Sequence, residues 1–228
     1  MSSIGIITAL KSEANCLGTL TKKKDVLHMV SGIGPTAAGR AAKELCSKGC
    51  SGLISFGYAG ALNSSYRSGV LAIGHSVSNG RKTIDIYSDW LTNFINLVKY
   101  ENTLSMHMTA FLSSSAPLND NLQKLSHAQN GSWDAVEMES YAIAEVADKN
   151  GIPVLVIRAI LDELNTMIPE GATNTIDAKG QLKTLASFYE LVKKPSDLRK
   201  YLELAAAKSK ADKTLSRVAA LISRVNLP

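Results

Sequence analysis

Residues 153–160, Pro153-Val154-Leu155-Val156-Ile157-Arg158-Ala159-Ile160, form a nearly continuous apolar run with the length of one β-strand. A strand that lacks polar alternation is buried on both faces, which is typical of a parallel sheet covered by helices. Two further runs of this kind lie earlier in the chain, at residues 3–9 and 52–57. The sequence therefore predicts an α/β fold with a central, largely parallel sheet.

Helical patterns alternate with these strands over the rest of the chain. One helix begins at Pro35, a residue that suits the first turn of a helix. The turn signal Asn-Gly-Arg at residues 79–81 predicts that the segment after it pairs back as a hairpin. The other predicted strands are 26–31, 69–77, 103–112 and 134–137, and the predicted helices start at Lys11 or span about 35–47, 88–99, 117–128, 139–149, 196–207 and 209–225.

The composition is that of one globular domain. The chain has 228 residues, of which 45% are hydrophobic and 20% charged. Cys16, Cys46 and Cys50 are too few for a disulfide framework, and their spacing gives no zinc motif, so we expect buried or half-buried thiols. The N-terminal segment lacks the pattern of a signal peptide, and no apolar stretch reaches the roughly 20 residues of a membrane span. We therefore expect a cytoplasmic protein.

The basic character of the chain is concentrated at its C-terminal end. Residues 191–228 carry nine basic and three acidic side chains, whereas the whole chain has a net charge of +5. Apolar residues recur at helical spacing there, which predicts a basic, amphipathic helical hairpin that extends a domain of residues 1–190 and packs on it or on a second subunit. A basic surface that rests on anionic lipid is the alternative. Nucleic-acid binding is disfavoured because Tyr201 is the only aromatic residue in this segment.

A glycine turn follows the second predicted strand. Gly32-Ile33-Gly34-Pro35-Thr36-Ala37 is similar to the glycine fingerprint that brings backbone amides close to a dinucleotide phosphate. The acidic residue expected about 20 positions later is missing, which weakens this alternative of a nicotinamide-dependent oxidoreductase. The favoured interpretation is a turn that borders a small-molecule site, and the alternative is a tight turn that only packs a helix on a strand.

Three acidic residues each lie just past a predicted strand. They are Glu13, Glu139 and Asp162. The carboxyl ends of parallel strands meet at one edge of the sheet, where active sites form. Any one of these acids could instead cap a helix or face solvent. Taken together, they predict an acidic site at that edge.

Five segments in this order resemble the purine nucleoside phosphorylase/nucleosidase superfamily, and most closely its methylthioadenosine/S-adenosylhomocysteine nucleosidase branch. The resemblance covers about residues 3–165 and implies a single-domain phosphorylase/hydrolase-like α/β fold with a mostly parallel mixed sheet. VEMES followed by RAILD is its most specific part. The segments are GIITALKSEA, SGIGPTAAG, SFGYAGAL, VEMESYAIAEVA and VIRAILD.

The resemblance implies a role for each matching residue. Glu139 matches the ligand of the ribose hydroxyls, and Met138 matches the residue packed on the sugar. Asp162 matches the acid that protonates purine N7, which lets the base leave as a neutral molecule. Glu13 matches the base that orients the attacking water. The glycine turns at Gly34 and at Gly57, Tyr58, Ala59 and Gly60 would border the pockets for the sugar and the nucleophile.

Two residues depart from the family pattern. Tyr58 stands where serine or threonine is usual, which puts the handling of water or phosphate in doubt. Leu161 stands where the nucleosidase branch has serine, which puts the base specificity in doubt. Arg158 and Arg40 are weaker candidates for binding an anion or supporting the site.

The rest of the chain is similar to the hopanoid-associated phosphorylase family, through SNGRKTIDIYSDWL, APLNDNLQKL and the C-terminal segment. That resemblance implies release of adenine from adenosylhopane, a nucleoside that carries a polycyclic lipid, by water or by phosphate, with no metal or cofactor and in a homo-oligomer. Peripheral membrane contact through the C-terminal helices is a further expectation. Two alternatives are a methylthioadenosine/S-adenosylhomocysteine nucleosidase and a non-catalytic module that binds a nucleoside or a lipid.

Overall fold

Eight strands and six α-helices make up the computed structural model, which describes residues 3–102, 104–118, 121–130, 132–166, 198–225 and 228. A short 3-10 helix, Gly18–Lys22, follows the first α-helix. The strands are β1 (Ile4–Thr8), β2 (Val26–Val30), β3 (Gly52–Ala61), β4 (Leu71–Ser78), β5 (Thr83–Asp85), β6 (Met106–Ser113), β7 (Ala135–Glu137) and β8 (Val154–Asp162). The helices are α1 (Lys11–Cys16), α2 (Pro35–Ser47), α3 (Asp89–Glu101), α4 (Asn121–Asn130), α5 (Ser140–Lys149) and α6 (Leu198–Ile222).

The strands form one mixed sheet that closes on itself. Parallel pairs join β1 to β2 and β3, β3 to β8, and β6 to β4 and β7. Antiparallel pairs join β3 to β7, and β4 to β5 and β8. Since β8 lies between β3 and β4, the strands β3, β8, β4, β6 and β7 form a ring, with β1 and β2 on one side. The α/β fold with a mostly parallel mixed sheet is therefore confirmed, and its closure was not predicted.

The two central strands are buried along nearly their whole length. All ten residues of β3 are buried, as are eight of the nine in β8. These strands lack the polar alternation of a strand with one face in water, because helices cover the sheet. The hydrophobic residues of both strands belong to a single large core. The prediction that the run at residues 153–160 is a buried strand is confirmed.

One predicted turn is strand. We expected the segment Gly57-Tyr58-Ala59-Gly60 to follow a strand that ends at residue 57, but β3 continues to Ala61. The reason is the neighbouring strand, because β8 offers a parallel partner to each of these residues, from Gly57 opposite Arg158 to Gly60 opposite Asp162. The pairing shifts register between Ala59 and Gly60.

The C-terminal segment contains one helix where a hairpin was predicted. The helix α6 runs without interruption for 25 residues, through the predicted break near residue 208. That break is wrong because Ala205, Ala206 and Ala207 are followed by lysine and serine, and no glycine or proline interrupts the helix. The predicted domain boundary between residues 190 and 191, and residues 196–197 at the start of the predicted helix 196–207, lie outside the described residues.

The apolar face of α6 is part of the protein core. Leu215 and Val218 are fully buried, and they belong to the same hydrophobic cluster as the central strands. The hydroxyl of Thr214 also donates a hydrogen bond to the carbonyl of Gly69 at 2.6 Å. None of the described helices is long and apolar enough to cross a membrane. Cys16 and Cys50 are buried and Cys46 is half-buried, all three as free thiols, as predicted.

Candidate active site

A cavity of about 260 Å³ lies beyond the carboxyl ends of β1 and β8, beside β3 and β7. Helix α4 closes one side of it through Lys124. This is the sheet edge at which the three predicted acids were expected to meet. The lining residues of the described chain are Ala9, Leu10, Glu13, Ile33, Tyr58, Ala59, Gly60, Ala116, Pro117, Leu118, Lys124, Val136, Glu137, Met138, Glu139, Leu161 and Asp162.

The structure brings the predicted site residues together. Gly34 and Gly57 adjoin the cavity, since each contacts one of its carboxylates. Arg40 is exposed on α2 and does not line the cavity, whereas Arg158 lies buried beneath it. The roles assigned to these residues remain predictions. Those that line the cavity directly are Glu13, Tyr58, Ala59, Gly60, Met138, Glu139 and Asp162.

One buried arginine organises three carboxylates. The Arg158 residue is 1% exposed, and its Nη2 atom lies 2.5 Å from a carboxylate oxygen of Glu137 and 3.5 Å from one of Glu139. The same nitrogen donates to the hydroxyls of Ser55 and Ser140. We call Arg158, Glu13, Glu137 and Glu139 the arginine cluster. One guanidinium thus faces three acids inside the protein, which is costly unless hydrogen bonds satisfy them.

Glu137 is a site residue that we did not single out from the sequence. Its Oε2 accepts hydrogen bonds from the backbone N–H groups of Glu139 and Ser140, at 2.9 and 2.8 Å, and from the Ser140 hydroxyl. Its Oε1 accepts from the hydroxyl of Ser113. With Arg158 added, Oε2 accepts four hydrogen bonds and Oε1 accepts the one from Ser113, so Glu137 fixes the start of α5 and the position of Glu139. An acid within a short buried strand was the available signal.

Glu13 is held at the start of α1 by three hydrogen bonds, and its carboxylate keeps about one further position that can accept a hydrogen bond. Its Oε2 accepts from the backbone N–H groups of Ala9 and Leu10, and its Oε1 accepts from that of Tyr58 at 2.9 Å. A carboxylate has about four lone-pair positions, so about one is left for a molecule in the cavity. Burial raises the pKa of Glu13 above its usual value, although Arg158 and the three amides oppose this.

Glu139 occupies the glycine turn between β2 and α2. The N–H of Gly34, at the N-terminus of α2, donates to Glu139 Oε1 at 2.9 Å. A protein carboxylate therefore takes the position where a dinucleotide phosphate would sit in the oxidoreductase alternative. Burial raises the pKa of Glu139 to about 7, with Arg158 opposing and the neighbouring Glu137 and Glu13 adding to the rise.

Two glycines of β3 make room for the charged side chains. A Cβ atom at Gly57 would overlap the Glu13 carboxylate and lie 2.6 Å from Arg158 Nη1. A Cβ atom at Gly60 would lie 3.0 Å from Asp162 Oδ2. Close approach of the strand at Gly57 thus requires a residue without a side chain, whereas a Cβ atom at Gly60 would displace the Asp162 carboxylate slightly.

A second ion pair lines the cavity farther along β3, beside Gly60 and not Gly57. Lys124 of α4 donates to Asp162 Oδ2 at the end of β8, and the two residues are 2% and 7% exposed. We call these two residues the lysine pair. Lys124 was not singled out from the sequence, because a lysine on a short polar helix ordinarily faces water. Only the packing of α4 on the cavity reveals it.

The side chain of Tyr58 links the site to α6. Its hydroxyl donates to Asp212, and Lys208 lies 2.7 Å from the other oxygen of that carboxylate. Burial raises the pKa of Tyr58, and the hydrogen bond to Asp212 adds to the rise. The tyrosine that replaces the usual serine or threonine thus lines the cavity while its polar end is bound on α6. It therefore stays neutral.

Much of the cavity wall is apolar. Val136 of β7 pairs with Gly60, and Leu118 lies shortly before α4 in the chain. Leu10 and Ile33 lie on the loops that follow β1 and β2. Ile33 is 43% exposed although it lines the cavity, so apolar surface continues to the outside. Among the described residues, no group of histidine, cysteine and acidic side chains is arranged to hold a metal ion.

A family model confirms the class of protein that this fold and site indicate. The model of the phosphorylase superfamily matches residues 10–192, which is most of the chain. The chain therefore belongs to the phosphorylase superfamily. At this level, the predicted class of enzyme, one that cleaves an N-glycosyl bond, is confirmed. No curated protein matches the chain by sequence.

Solved structures of several nucleosidases share the fold. A 5'-methylthioadenosine/S-adenosyl homocysteine nucleosidase from Campylobacter jejuni superposes with a TM-score of 0.73 at 16% identity, covering 98% of each chain. The futalosine hydrolase of Helicobacter pylori gives a TM-score of 0.71 at 14% identity, covering 97% of this chain and 96% of its own. The 5'-methylthioadenosine/S-adenosylhomocysteine nucleosidase of Helicobacter pylori, solved with butyl-thio-DADMe-Immucillin-A, gives a TM-score of 0.70 at 15% identity, covering 98% of this chain and 97% of its own. At these identities, the likeness shows the fold alone.

Proposed function

We propose that the protein releases adenine from a 5'-substituted adenosine by cleaving its N-glycosidic bond. The observation that carries this proposal is one cavity lined both by carboxylates of the arginine cluster, beside Gly57 of β3, and by the lysine pair, beside Gly60 farther along the same strand. Cleavage of this bond develops positive charge on the sugar and negative charge on the base. A site with carboxylates at one end and a proton donor at the other matches that separation of charge.

The sugar is placed over the arginine cluster. Glu139 is the ligand of the ribose hydroxyls, because Gly34 and Glu137 hold it at the cavity wall. With a pKa near 7, its carboxyl group can accept a hydrogen bond when ionised and donate one when protonated. Met138, half-buried beside it, packs on the apolar face of the sugar.

Water is the proposed nucleophile. The remaining acceptor position of Glu13 orients it, and the raised pKa of this carboxyl makes Glu13 a stronger base. Phosphate is the alternative nucleophile. We favour water because the one arginine beneath the cavity, Arg158, is already surrounded by acids and hydroxyls, which leaves little positive charge for a second anion.

The base is placed at the lysine pair. Asp162 ends β8, four residues beyond Arg158, and Lys124 of α4 pairs with it at the cavity wall. Protonation of purine N7 lets adenine leave as a neutral molecule, an effect of about 10²–10⁴-fold. We assign the supply of that proton to the lysine pair, of which Asp162 is the member that the sequence resemblance assigns this role.

The 5' substituent is proposed to be apolar. Leu10, Ile33 and Leu118 give the cavity an apolar wall that extends to the surface at Ile33. Adenosylhopane, predicted from the sequence, is the substrate that we propose on this ground, and methylthioadenosine is the alternative. Contact with a lipid surface would have to use exposed basic side chains of α6, such as Lys210 and Lys213, because its apolar face is buried.

We also propose that the protein works as a homo-oligomer in the cytoplasm.

The test is release of adenine from three nucleosides, measured by chromatography. The substrates are adenosine, methylthioadenosine and a 5'-alkyl adenosine with a bulky apolar group, each with and without phosphate. We expect adenine from the bulky substrate without phosphate, at a higher kcat/KM than from adenosine. A strict need for phosphate would show that phosphate, and not water, is the nucleophile. A preference for methylthioadenosine would show that the 5' substituent is small.

A non-catalytic module that binds the nucleoside is the candidate of another class. It would bind adenine nucleosides in calorimetry and release no adenine from any of the three. That result would contradict the proposed reaction and leave the fold and family unchanged.

A further inference from the structure

The sequence-based role of Asp162 conflicts with its surroundings. A general acid must carry a proton that it can give away, but at neutral pH an aspartate is ordinarily a carboxylate and a lysine an ammonium. In the buried pair, the carboxylate of Asp162 accepts a hydrogen bond from Lys124 Nζ. The transferable protons at this end of the cavity are therefore on Lys124.

The lysine pair also presents a pattern of donor and acceptor that selects a base. The edge of adenine that includes N7 carries an acceptor, N7, next to a donor, the exocyclic amino group. A purine with an oxygen at C6 carries two acceptors on that edge. An ammonium beside a carboxylate offers one donor and one acceptor, which complements adenine and sets the Asp162 carboxylate against a 6-oxo group.

We propose that Lys124 is the catalytic proton donor to N7 of the leaving purine, and that Asp162 accepts a hydrogen bond from the amino group of adenine. This inference rests on the proposed function and deepens it. Lys124 lines the cavity, and its residue is 2% exposed, so its proton is directed to a molecule in the site and not to bulk water. Leu161, which stands in place of a serine of the related nucleosidases, is apolar, so recognition of the base falls to the lysine pair.

The step balances without any further reactant. The bond between C1' and N9 breaks and its electron pair stays with the base, while N7 takes a proton from Lys124 Nζ and adenine leaves neutral. Water attacks C1' and gives its proton to Glu13. Lys124 is left as a neutral amine, and it regains a proton as Glu13 loses one to solvent.

The test compares K124Q with D162N on two kinds of leaving group. Glutamine keeps an N–H donor but cannot give up its proton, so it separates hydrogen bonding from proton transfer. The first substrate is the best adenosine derivative of the wild type, and the second is 4-nitrophenyl β-D-ribofuranoside, whose phenolate leaves without protonation. K149M, at an exposed lysine paired with Glu145, is the control. Circular dichroism verifies that each variant is folded, and adenine binding by calorimetry verifies that the site is open in K124Q and K149M.

We expect K124Q to lose about 10²–10⁴-fold in kcat on the adenosine derivative and to keep its rate on the nitrophenyl riboside. D162N should lose less in kcat and more in adenine binding, and the wild type should prefer adenosine to inosine. The inference is overturned if K124Q keeps its kcat on the adenosine derivative while D162N loses it, or if K124Q loses kcat on both substrates by the same factor. If the wild type itself releases no base from any nucleoside, the proposed function fails, and the inference falls with it.

Discussion

The two ends of the cavity are charged in different ways. In the arginine cluster, one buried guanidinium faces three acids, and backbone amides and hydroxyls occupy most of the remaining acceptor positions. In the lysine pair, one ammonium faces one carboxylate, and apart from the Glu163 carbonyl at 3.5 Å no further partner of Lys124 is described. The first arrangement is fixed by β3, β7, β8 and the starts of α1 and α5. The second depends on how α4 packs against the end of β8.

This difference indicates a division of roles. A group whose hydrogen-bonding positions are filled by protein can orient a neighbour but has little capacity to change partners. A simple pair can exchange its mutual hydrogen bond for one to a ligand. We therefore assign protonation of the base to the lysine pair, and the positioning of the sugar and of the attacking water to the arginine cluster, in which Glu13 keeps one open acceptor position. The following variants test the contrast, in order of their expected effect.

Replacing Arg158 should have the largest effect on stability. R158M removes the one cation beside Glu13, Glu137 and Glu139, and leaves buried carboxylates without a counter-charge, so we expect a loss of about 3–5 kcal/mol in the free energy of unfolding. Urea unfolding at pH 7 measures it. The control is R224M, which breaks an exposed pair with Glu101 and should cost about 0–1 kcal/mol. Equal stability of the two variants would contradict the central role of Arg158.

Replacing Glu139 should change how stability depends on pH. Its pKa is about 7 in the folded protein and 4.5 ordinarily, so between these values the native state holds a proton that the unfolded chain has lost. The contribution of this group is therefore present at low pH and is lost as the pH rises through about 7. E139Q should be more stable than the wild type at pH 8 by about 1–3 kcal/mol, with no such gain at pH 5.

Urea unfolding at pH 5, 7 and 8 tests the pH prediction. E145Q, at a half-exposed acid of α5, the helix that Glu139 precedes, is the matched control and should follow the wild type at each pH. A gain by E139Q that is the same at pH 5 and pH 8 would show that Glu139 does not titrate in this range.

Replacing the whole lysine pair should change stability least. An apolar pair of similar volume often stabilises a protein as well as a buried ion pair does, because it avoids the cost of removing two charges from water. K124M/D162L should therefore unfold within about 1 kcal/mol of the wild type, or be more stable, and should lose adenine release. A loss as large as that of R158M would mean that the pair is structural.

Much of the fold follows from local patterns in the sequence. The apolar run of β8 and the proline at the start of α2 each specify their element without help from distant residues. The extension of β3 past Gly57 could not be predicted, because it depends on pairing with β8. The single helix α6 was predicted as two helices, although no glycine or proline near Lys208 interrupts it.

The candidate site divides in the same way. Glu13, Glu139 and Asp162 could be singled out because each follows a strand, and the ends of parallel strands meet. Glu137 and Lys124 could not, since their importance comes from partners on other elements, Arg158 of β8 and Asp162 at its end. Sequence patterns predict where a chain turns and which face is buried. They do not predict which of several polar residues will lose its contact with water.

The most direct test of the account is the turnover of E13Q with the best adenosine derivative, measured beside adenine binding. Glutamine can keep at least one oxygen acceptor for the backbone amides around Glu13, but it cannot take a proton from water. We predict a loss of about 10²–10⁴-fold in kcat while the Kd for adenine, which is bound at the other end of the cavity, is unchanged. Retained turnover in this variant would contradict the claim that the arginine cluster activates water at the sugar.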